Sequence, residues 1–244
     1  MVGGQASDAF ARGGVPSQFH PSGREGLCPC VFLVSPPGRF PVPGRYARGG
    51  LDIRYGASID KIVYRDGKWR IGNDLYDIVV YTGNVRGIPA LVEGVSVDGL
   101  EKELQALPFH GTTAVFCEID PVPYTWVYLP DGAYDAHRII CTGNLSKENN
   151  ASGRLTATVE FTDAVSRADI EDQLRRIPLN PKYLDHCYTA CSYPVQTHAT
   201  RGLVRELKDR LHPKGFYLTG RFAEWEYYNM DVAAGAAMDL AKEL

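Results

Sequence analysis

The alternation of apolar and polar residues after position 48 predicts a β-meander over residues 49–84. Asp66-Gly67 has the composition of a tight hairpin turn and separates two short alternating segments. Residues 76–81 form a nearly continuous apolar run, which is typical of a strand buried in a sheet. The predicted strands are 51–55, 61–64, 68–71 and 76–81.

The pattern beyond residue 93 alternates between strands and helices. Ser166 has the residue type that favours a helix N-cap, and acidic residues follow it. The predicted helices are 100–107, 167–177, 200–211 and a small-residue helix that begins near Asn229. Strands are predicted at 112–119, 125–129, 137–142 and 155–161, as an antiparallel sheet, and at 216–218. The fold class is therefore a mixed α/β fold.

The segment from residue 215 to 231 concentrates polar-tipped side chains between a strand and a helix. Gly220-Arg221 follows the strand, Tyr227-Tyr228 lie in the loop, and Asn229 and Asp231 stand at the helix start. The start of a helix presents unpaired N–H groups and the positive end of the helix dipole. This segment is therefore a candidate site for an anion or for negative charge on a cofactor ring.

Residues 1–48 differ from the rest of the chain. They are rich in Gly, Pro, Arg and Ser and contain one short apolar run, at residues 31–34. Such a composition buries little apolar surface, so an irregular segment is expected.

Composition excludes several function classes. The chain has 244 residues, of which 44% are hydrophobic and 23% charged, as in ordinary globular proteins of one or two domains. A net charge of -3 gives no reason to expect nucleic acid as a partner. No apolar run approaches the roughly 20 residues that span a bilayer, and no signal peptide is recognisable, so no membrane partner and a cytoplasmic location are expected. The six cysteines lack metal-site spacing, which predicts free thiols and no metal.

Four sequence segments resemble the C-terminal portion of UDP-galactopyranose mutases and their flavoprotein relatives, which include the amine oxidase and protoporphyrinogen oxidase families. The resemblance covers residues 49–244. Its segments are Gly220-Arg221 with Tyr227-Tyr228-Asn229-Met230-Asp231; Trp126-Val-Tyr128-Leu-Pro130 with His137-Arg138; Ser192-Tyr193-Pro194; and Cys141-Thr-Gly-Asn-Leu-Ser146 with Asn149-Asn150.

The resemblance implies a truncated FAD-binding two-domain flavoprotein. Residues 49–92 and 195–244 would be the remnant of the FAD-binding domain, with the C-terminal helix facing the flavin. Residues 93–194 would be the substrate-binding domain, built on the antiparallel sheet. The irregular residues 1–48 would precede both. The cofactor would be FAD, in its reduced form for a mutase, and the partner a UDP-linked sugar nucleotide.

The resemblance also implies roles for single residues. Arg221 would be catalytic, beside the flavin and the sugar nucleotide. The family usually has Asp where this chain has Asn229. The substrate-binding residues would be Tyr128, Arg138, Tyr193 and Tyr227, and the cofactor-binding residues Gly220, Arg221, Tyr228, Asn229, Met230 and Asp231. The remaining candidates have structural interpretations: Trp126 and Trp225 as packing residues, His110, His137 and His198 as structural, and Gly235 as a site of close helix–sheet packing.

One departure from the family keeps three functions open. The family begins with a strand, a Gly-x-Gly-x-x-Gly turn and a helix that hold the FAD diphosphate. This sequence has no such motif, and Gly3-Gly4 and Gly13-Gly14 are doublets without a strand before or a helix after them. The mutase-like function is preferred because Arg138, Arg221 and Tyr227 suit a diphosphate. The alternatives are a flavin-dependent oxidoreductase of the amine oxidase type and a non-catalytic truncated relative.

Overall fold

The computed structural model describes residues 57–150 and 154–244, so the predictions for 1–48 and for strand 51–55 lie outside the described residues. The described residues form two compact units. One comprises 57–108 together with 194–244, and the other lies between 109 and 193. The FAD-binding and substrate-binding roles given to the parts of the chain stay predictions.

The helices and strands follow one another in this order. The first unit begins with strands β1 (Ile62–Arg65), β2 (Lys68–Ile71), β3 (Asp74–Tyr76) and β4 (Val79–Tyr81), helix α1 (Ile88–Leu91), strand β5 (Val92–Glu93) and helix α2 (Glu101–Gln105). The second contains β6 (Phe109–Ile119), β7 (Trp126–Tyr128), β8 (Ala136–Ile140), α3 (Thr142–Leu145), β9 (Leu155–Thr162), α4 (Arg167–Leu174) and β10 (Lys182–Pro194). The first unit then resumes with α5 (His198–Leu211), β11 (Phe216–Leu218) and α6 (Met230–Glu243).

The predicted meander is confirmed over β1, β2 and β3, which pair antiparallel. Asp66 and Gly67 both have positive φ, at 52° and 77°, as a two-residue hairpin turn requires. β5 joins this sheet parallel to β1. The buried Trp69 of β2 packs against Phe216 of β11.

The prediction of a single buried strand at 76–81 is wrong. The chain bends at Asp77, so β3 stays in the meander while β4 pairs parallel with β11 in a separate two-stranded sheet. Asp77 forms an ion pair with Lys68 at the surface, which a strand buried on both faces could not accommodate. The apolar run is in fact half-exposed, because Ile78 and Val80 each keep 44% of their surface in solvent.

The unit between 109 and 193 contains a five-stranded sheet in the order β10-β6-β9-β8-β7. The predicted antiparallel pairing of β6, β9, β8 and β7 is confirmed. Val127, Ile139, Val159 and Val115 lie side by side in register across these strands and belong to or pack against the core. The neighbouring positions in each strand therefore lie on the opposite face. That face carries Arg138 and Glu160.

Helix α4 packs on the core face of this sheet. Its Ile170 and Leu174 belong to the same buried cluster as the sheet's valines and isoleucines. The Ser166 side chain accepts a hydrogen bond from the Asp169 backbone N–H, so the predicted N-cap is confirmed.

Strand β10 was not predicted from the sequence. Its residues, KYLDHCYTACSYP, are mostly polar or half-exposed and show no strict alternation, because the strand lies at an edge of the sheet beside β6. The C-terminal end of β10 carries Tyr193, which the sequence analysis had assigned to the short segment Ser192-Tyr193-Pro194 without predicting a strand.

Helices α5 and α6 begin close to the predicted positions. The Thr197 and Thr200 side chains form a reciprocal capping box at the start of α5, which buries Val204, Leu207 and Leu211. Asn229 is the N-cap of α6, and none of the α6 side chains is buried. The close-packing role predicted for Gly235 has no support within the described residues, since none has an atom within 4 Å of a Cβ added there. None of the described helices has the length and apolar character to cross a membrane.

The four cysteines within 57–150 and 154–244 are free thiols, as predicted. Cys117 and Cys141 lie in the core of the five-stranded sheet, and burial raises the pKa of Cys117 to about 12. These thiols are therefore protonated and poorly reactive at neutral pH. Cys28 and Cys30 lie outside the described residues.

Replacing Gly94 by Ala is expected to destabilise the protein more than replacing Gly99. Both glycines have positive φ, at 84° and 86°, so both variants carry backbone strain on the order of 1–3 kcal/mol. Only at Gly94 would the added Cβ overlap the Tyr64 carbonyl oxygen. Urea denaturation should give a lower free energy of unfolding for G94A than for G99A. Equal values would contradict the packing of Gly94 on β1.

Candidate functional site

The predicted site residues fall into two groups, one in each unit. The Arg138 group comprises Arg138, Tyr128 and Tyr193, with Trp126, His137 and Glu160 in contact with them. The Arg221 loop comprises residues 219–229, which connect β11 to α6. Each group is described by itself.

An ion pair between Arg138 and Glu160 is the centre of the Arg138 group. The two residues lie opposite each other on β8 and β9, and Arg138 Nε donates a hydrogen bond to the Glu160 carboxylate. Another guanidinium nitrogen donates to the Tyr193 hydroxyl at 2.8 Å. Only 15% of the Arg138 side chain and 13% of the Glu160 side chain are exposed. These contacts hold the guanidinium in one orientation.

The Arg138 guanidinium stays charged in this environment. Burial, the largest influence, lowers its pKa, but the hydrogen bond and charge of Glu160 and the contact with Tyr193 together raise the pKa above its ordinary value. Much of the positive charge is cancelled locally, because the carboxylate is a direct partner. A ligand at this group therefore meets a fixed Arg–Glu pair and not an isolated cation.

Two aromatic rings line the same part of the sheet. The Arg138 guanidinium lies over the Trp126 ring at 5.0 Å, a cation–π distance. Tyr128, directly opposite Arg138 on β7, has its ring centroid 6.2 Å from that of Trp126. Trp126 packs against both of these residues but is not part of the buried core, since it is 40% exposed and Tyr128 is 68% exposed. Both rings are available for stacking with a ligand.

A β-bulge brings His137 to Glu160. The register shifts between Ala136 and Arg138, so His137 is the extra residue of β8. Its Nε2 lies 3.6 Å from a Glu160 carboxylate oxygen. Burial lowers the pKa of His137, the Arg138 charge lowers it further, and Glu160 opposes both. The sequence analysis treated His137 as a structural residue without a partner, and the structure provides that partner.

Glu160 is the residue that the sequence analysis missed. It interrupts the apolar residues of β9 between Val159 and Phe161. Strand alternation alone places it on the face opposite these core residues, so the signal was a lone carboxylate on a well-predicted strand. Its pairing with Arg138 could not be found without the register.

Arg221 binds its own loop. Its Nε and one terminal nitrogen donate to the Tyr228 carbonyl oxygen, at 2.9 and 2.7 Å. Its guanidinium lies over the Tyr227 ring at 5.0 Å. The structure thus brings together Arg221, Tyr227 and Tyr228, and Tyr227 is 51% exposed. Gly220 permits the turn before them with a φ of 92°.

Two carboxylates of the loop attach it to α5. Glu224 accepts from Lys208 Nζ at 2.6 Å and from the Gly220 N–H at 3.0 Å. Glu226 accepts from Arg201 Nε at 2.7 Å. An open cleft of about 200 Å³ lies between these side chains. Glu224 and Glu226 were not predicted, although a Glu-x-Glu pair in a loop that precedes a helix was visible in the sequence.

The start of α6 is open to solvent. Asn229 has extended backbone and its side chain makes no capping bond, and the first helical hydrogen bond is donated by Ala233 to the Asn229 carbonyl at 2.9 Å. The N–H groups of residues 230–232 precede this bond, and Met230 is 83% exposed. These N–H groups have the geometry to face an anionic group. The Asp231 carboxylate in the same turn carries a negative charge that would repel such a group. The cofactor-binding roles of Gly220, Tyr228, Asn229, Met230 and Asp231 stay predictions, as do those of the substrate residues.

No metal centre is formed by the part of the chain that the structure describes. There, no group of three or more His, Cys, Asp or Glu side chains could hold a metal ion.

Comparison with known proteins shows similarity in fold. No protein-family model and no curated protein matches the chain. Among solved structures, reduced UDP-galactopyranose mutase matches with a TM-score of 0.58 and 17% identity, over 70% of this chain and 42% of that one. A protein from Exiguobacterium sp. 255-15, provisionally assigned as a protoporphyrinogen oxidase, matches with a TM-score of 0.56 and 14% identity, over 76% and 45%. The CLA-producing fatty acid isomerase from P. acnes matches with a TM-score of 0.56 and 12% identity, over 76% and 47%.

These matches confirm the α/β fold and leave the reaction open. At identities of 12–17% they show the fold alone. They do not favour the mutase over its relatives, because one fold serves several reactions. The chain spans less than half the length of each of these three proteins.

Replacing Glu160 by Gln is expected to lower the pKa of His137 further. That pKa is already below the ordinary value near 6.5, and Glu160 is the group that raises it. In a histidine NMR titration, the charged form of His137 should therefore be lost at a lower pH in E160Q than in the unmodified chain. H137Q is used to assign the signal. An unchanged midpoint would contradict the His137–Glu160 contact.

The same shift predicts how stability depends on pH. The neutral form of His137 is favoured in the folded state, so its contribution to stability is present above pH about 6.5 and is lost as the pH falls through the lower folded pKa. H137Q should remove this part of the pH dependence of unfolding.

Replacing Glu224 by Gln is expected to lower the pKa of Tyr228. Burial raises that pKa most, and the charges of Glu224 and Glu226 and a hydrogen bond to Glu224 add to it. Tyrosine NMR with Y228F for assignment measures the change. Glu206→Gln is the matched control, because Glu206 pairs with Arg210 on α5 and is not among the groups that shift the Tyr228 pKa. If E224Q and E206Q leave the same Tyr228 pKa, the attachment of the loop through Glu224 is contradicted.

Proposed function

We propose that this chain is the sugar-nucleotide-binding part of a flavin-dependent isomerase of the UDP-galactopyranose mutase type. One observation carries the proposal. Arg138 and Tyr193, to which the resemblance gave substrate-binding roles, lie 55 residues apart in sequence and are joined by a hydrogen bond of 2.8 Å. Tyr128, the third substrate residue of this unit, lies directly opposite Arg138.

The chemistry of a UDP leaving group matches these side chains. A diphosphate that departs from a sugar carries negative charge, which cationic forks and hydroxyl donors stabilise. Arg138 supplies the guanidinium, and Tyr193 and Tyr128 supply hydroxyls. Trp126 and Tyr128 offer exposed rings for the flat parts of a nucleotide.

The Arg221 loop and the start of α6 fit one edge of a flavin ring. The N–H groups of residues 230–232 would face the negative charge of reduced flavin, and Arg221 with Tyr227 would border it. Reduced FAD, when bound, would supply the electron pair that ring contraction of the sugar requires. The described residues hold no glycine-rich turn for the FAD diphosphate, so the fit is limited to the ring. Activity on a sugar nucleotide is proposed for the whole protein, of which this chain would be a part.

A flavin-dependent oxidoreductase is the second candidate, and one observation favours it. The Glu160 carboxylate cancels much of the Arg138 charge, which suits a less charged substrate than a diphosphate. A solved oxidase-type structure also shares the fold. A non-catalytic relative is the remaining alternative and would bind neither flavin nor nucleotide.

Binding of UDP tests the proposed function. Isothermal titration calorimetry with the full chain should detect UDP binding, and Arg138→Ala should weaken it at least about tenfold, because a charged hydrogen bond is lost and the Glu160 charge is left unpaired beside the ligand. Arg167→Ala is the matched control. Arg167 is in the same unit, pairs with Glu171 and lies over the Tyr183 ring, so it has the same kinds of partner as Arg138, at a more exposed position and without the predicted role.

The outcomes separate the three functions. Equal UDP affinity in R138A and the unmodified chain would contradict the mutase-type site. A chain that stays yellow after incubation with FAD and gel filtration but binds no UDP would favour the oxidoreductase. A chain that binds neither would favour the non-catalytic relative.

A further inference from the structure

We propose that Glu160 is a specificity-determining residue that keeps affinity for the diphosphate group low, so that the uncharged parts of the ligand provide most of the binding energy. This inference rests on the proposed function. It assigns to Glu160 a role that neither the sequence pattern nor the fold comparison gave to any residue.

The Glu160 carboxylate is a direct partner of Arg138. It lies on the same face of the sheet as Arg138, in register with it, and accepts the Arg138 Nε–H. Arg138 uses a further nitrogen for Tyr193. A guanidinium binds phosphate best through two parallel N–H groups, and the pairing with Glu160 occupies one of its edges. A diphosphate can use only what remains of the fork.

Charge repulsion adds to this restriction. Any phosphate that contacts Arg138 comes within a few ångströms of the Glu160 carboxylate. At an effective dielectric constant of about 20, like charges at that distance change affinity by about tenfold or more. His137 does not offset this effect at neutral pH, because its lowered pKa keeps it uncharged.

The uncharged surface beside the pair is ready to contribute binding energy. Tyr128 and Trp126 lie next to each other, and both are exposed. Aromatic rings of this kind stack on sugar and base rings without regard to charge. These rings can therefore supply most of the binding energy while Glu160 keeps the contribution of the diphosphate small.

A purely structural role for Glu160 makes the opposite prediction. If the carboxylate served only to orient Arg138, its removal would free the guanidinium and weaken binding of phosphate. Glutamine separates the two roles, because its side-chain oxygen can still accept the Arg138 N–H while the negative charge is gone.

The experiment compares uridine, UMP and UDP on the unmodified full chain and on Glu160→Gln by calorimetry. In the unmodified chain, affinity should rise less than about tenfold from uridine to UDP and change little between low and high salt, because the local charges cancel. E160Q should bind UDP about tenfold more tightly, with a steeper salt dependence and unchanged affinity for uridine. Glu171→Gln, which removes the partner of Arg167 in the same unit, should change none of these values.

The unmodified chain tests the inference even if E160Q fails to fold. A rise of a hundredfold or more from uridine to UDP, or a strong salt dependence, would overturn it. So would an E160Q chain that binds UDP no better than the unmodified one. If UDP binding is lost in R138A but not strengthened in E160Q, the proposed function stands and this inference falls. If E160Q gains affinity for inorganic pyrophosphate while neither chain binds UDP, the inference stands and the proposed function falls; no binding of any probe overturns both.

Discussion

The ion pair between Arg138 and Glu160 determines what the unit between 109 and 193 presents to a ligand. It exists because β8 and β9 are in a register that places the two residues opposite each other, on the face away from the valine and isoleucine core. Both side chains are mostly buried, so either charge alone would be strongly destabilising, by about 3–5 kcal/mol for such pairs. Tyr193, Trp126 and His137 surround the pair: the first two contact Arg138, and His137 lies beside Glu160.

The Arg221 loop follows the same physical principle in the other unit. Its arginine is also held by the protein itself, through the Tyr228 carbonyl and the Tyr227 ring. Glu224 and Glu226 fix the loop to basic residues of α5. Side chains ordered in this way lose little conformational entropy when a ligand binds. Both predicted arginines thus offer orientation to a ligand more than unpaired charge.

The sequence predicted elements where pattern and burial agree. Strands β6 and β9 alternate over most of their length because one face lies on the core, and the cap of α4 is formed by the predicted Ser166. The break at Asp77 and the edge strand β10 were missed, since apolar runs and polar edge strands carry no marker of their partners. Glu160 and His137 were missed because their contact depends on strand register and on a bulge, which are tertiary properties.

The central claim is that a nucleotide binds at the Arg138–Glu160 pair. NMR observation of the arginine Nε–Hε signals during titration with UDP tests it most directly, because this group of Arg138 is hydrogen-bonded to Glu160. The signal of Arg138, assigned with R138K, should shift in proportion to UDP occupancy while that of Arg167 stays in place. Saturable binding of UDP without any change in the Arg138 signal would contradict the account.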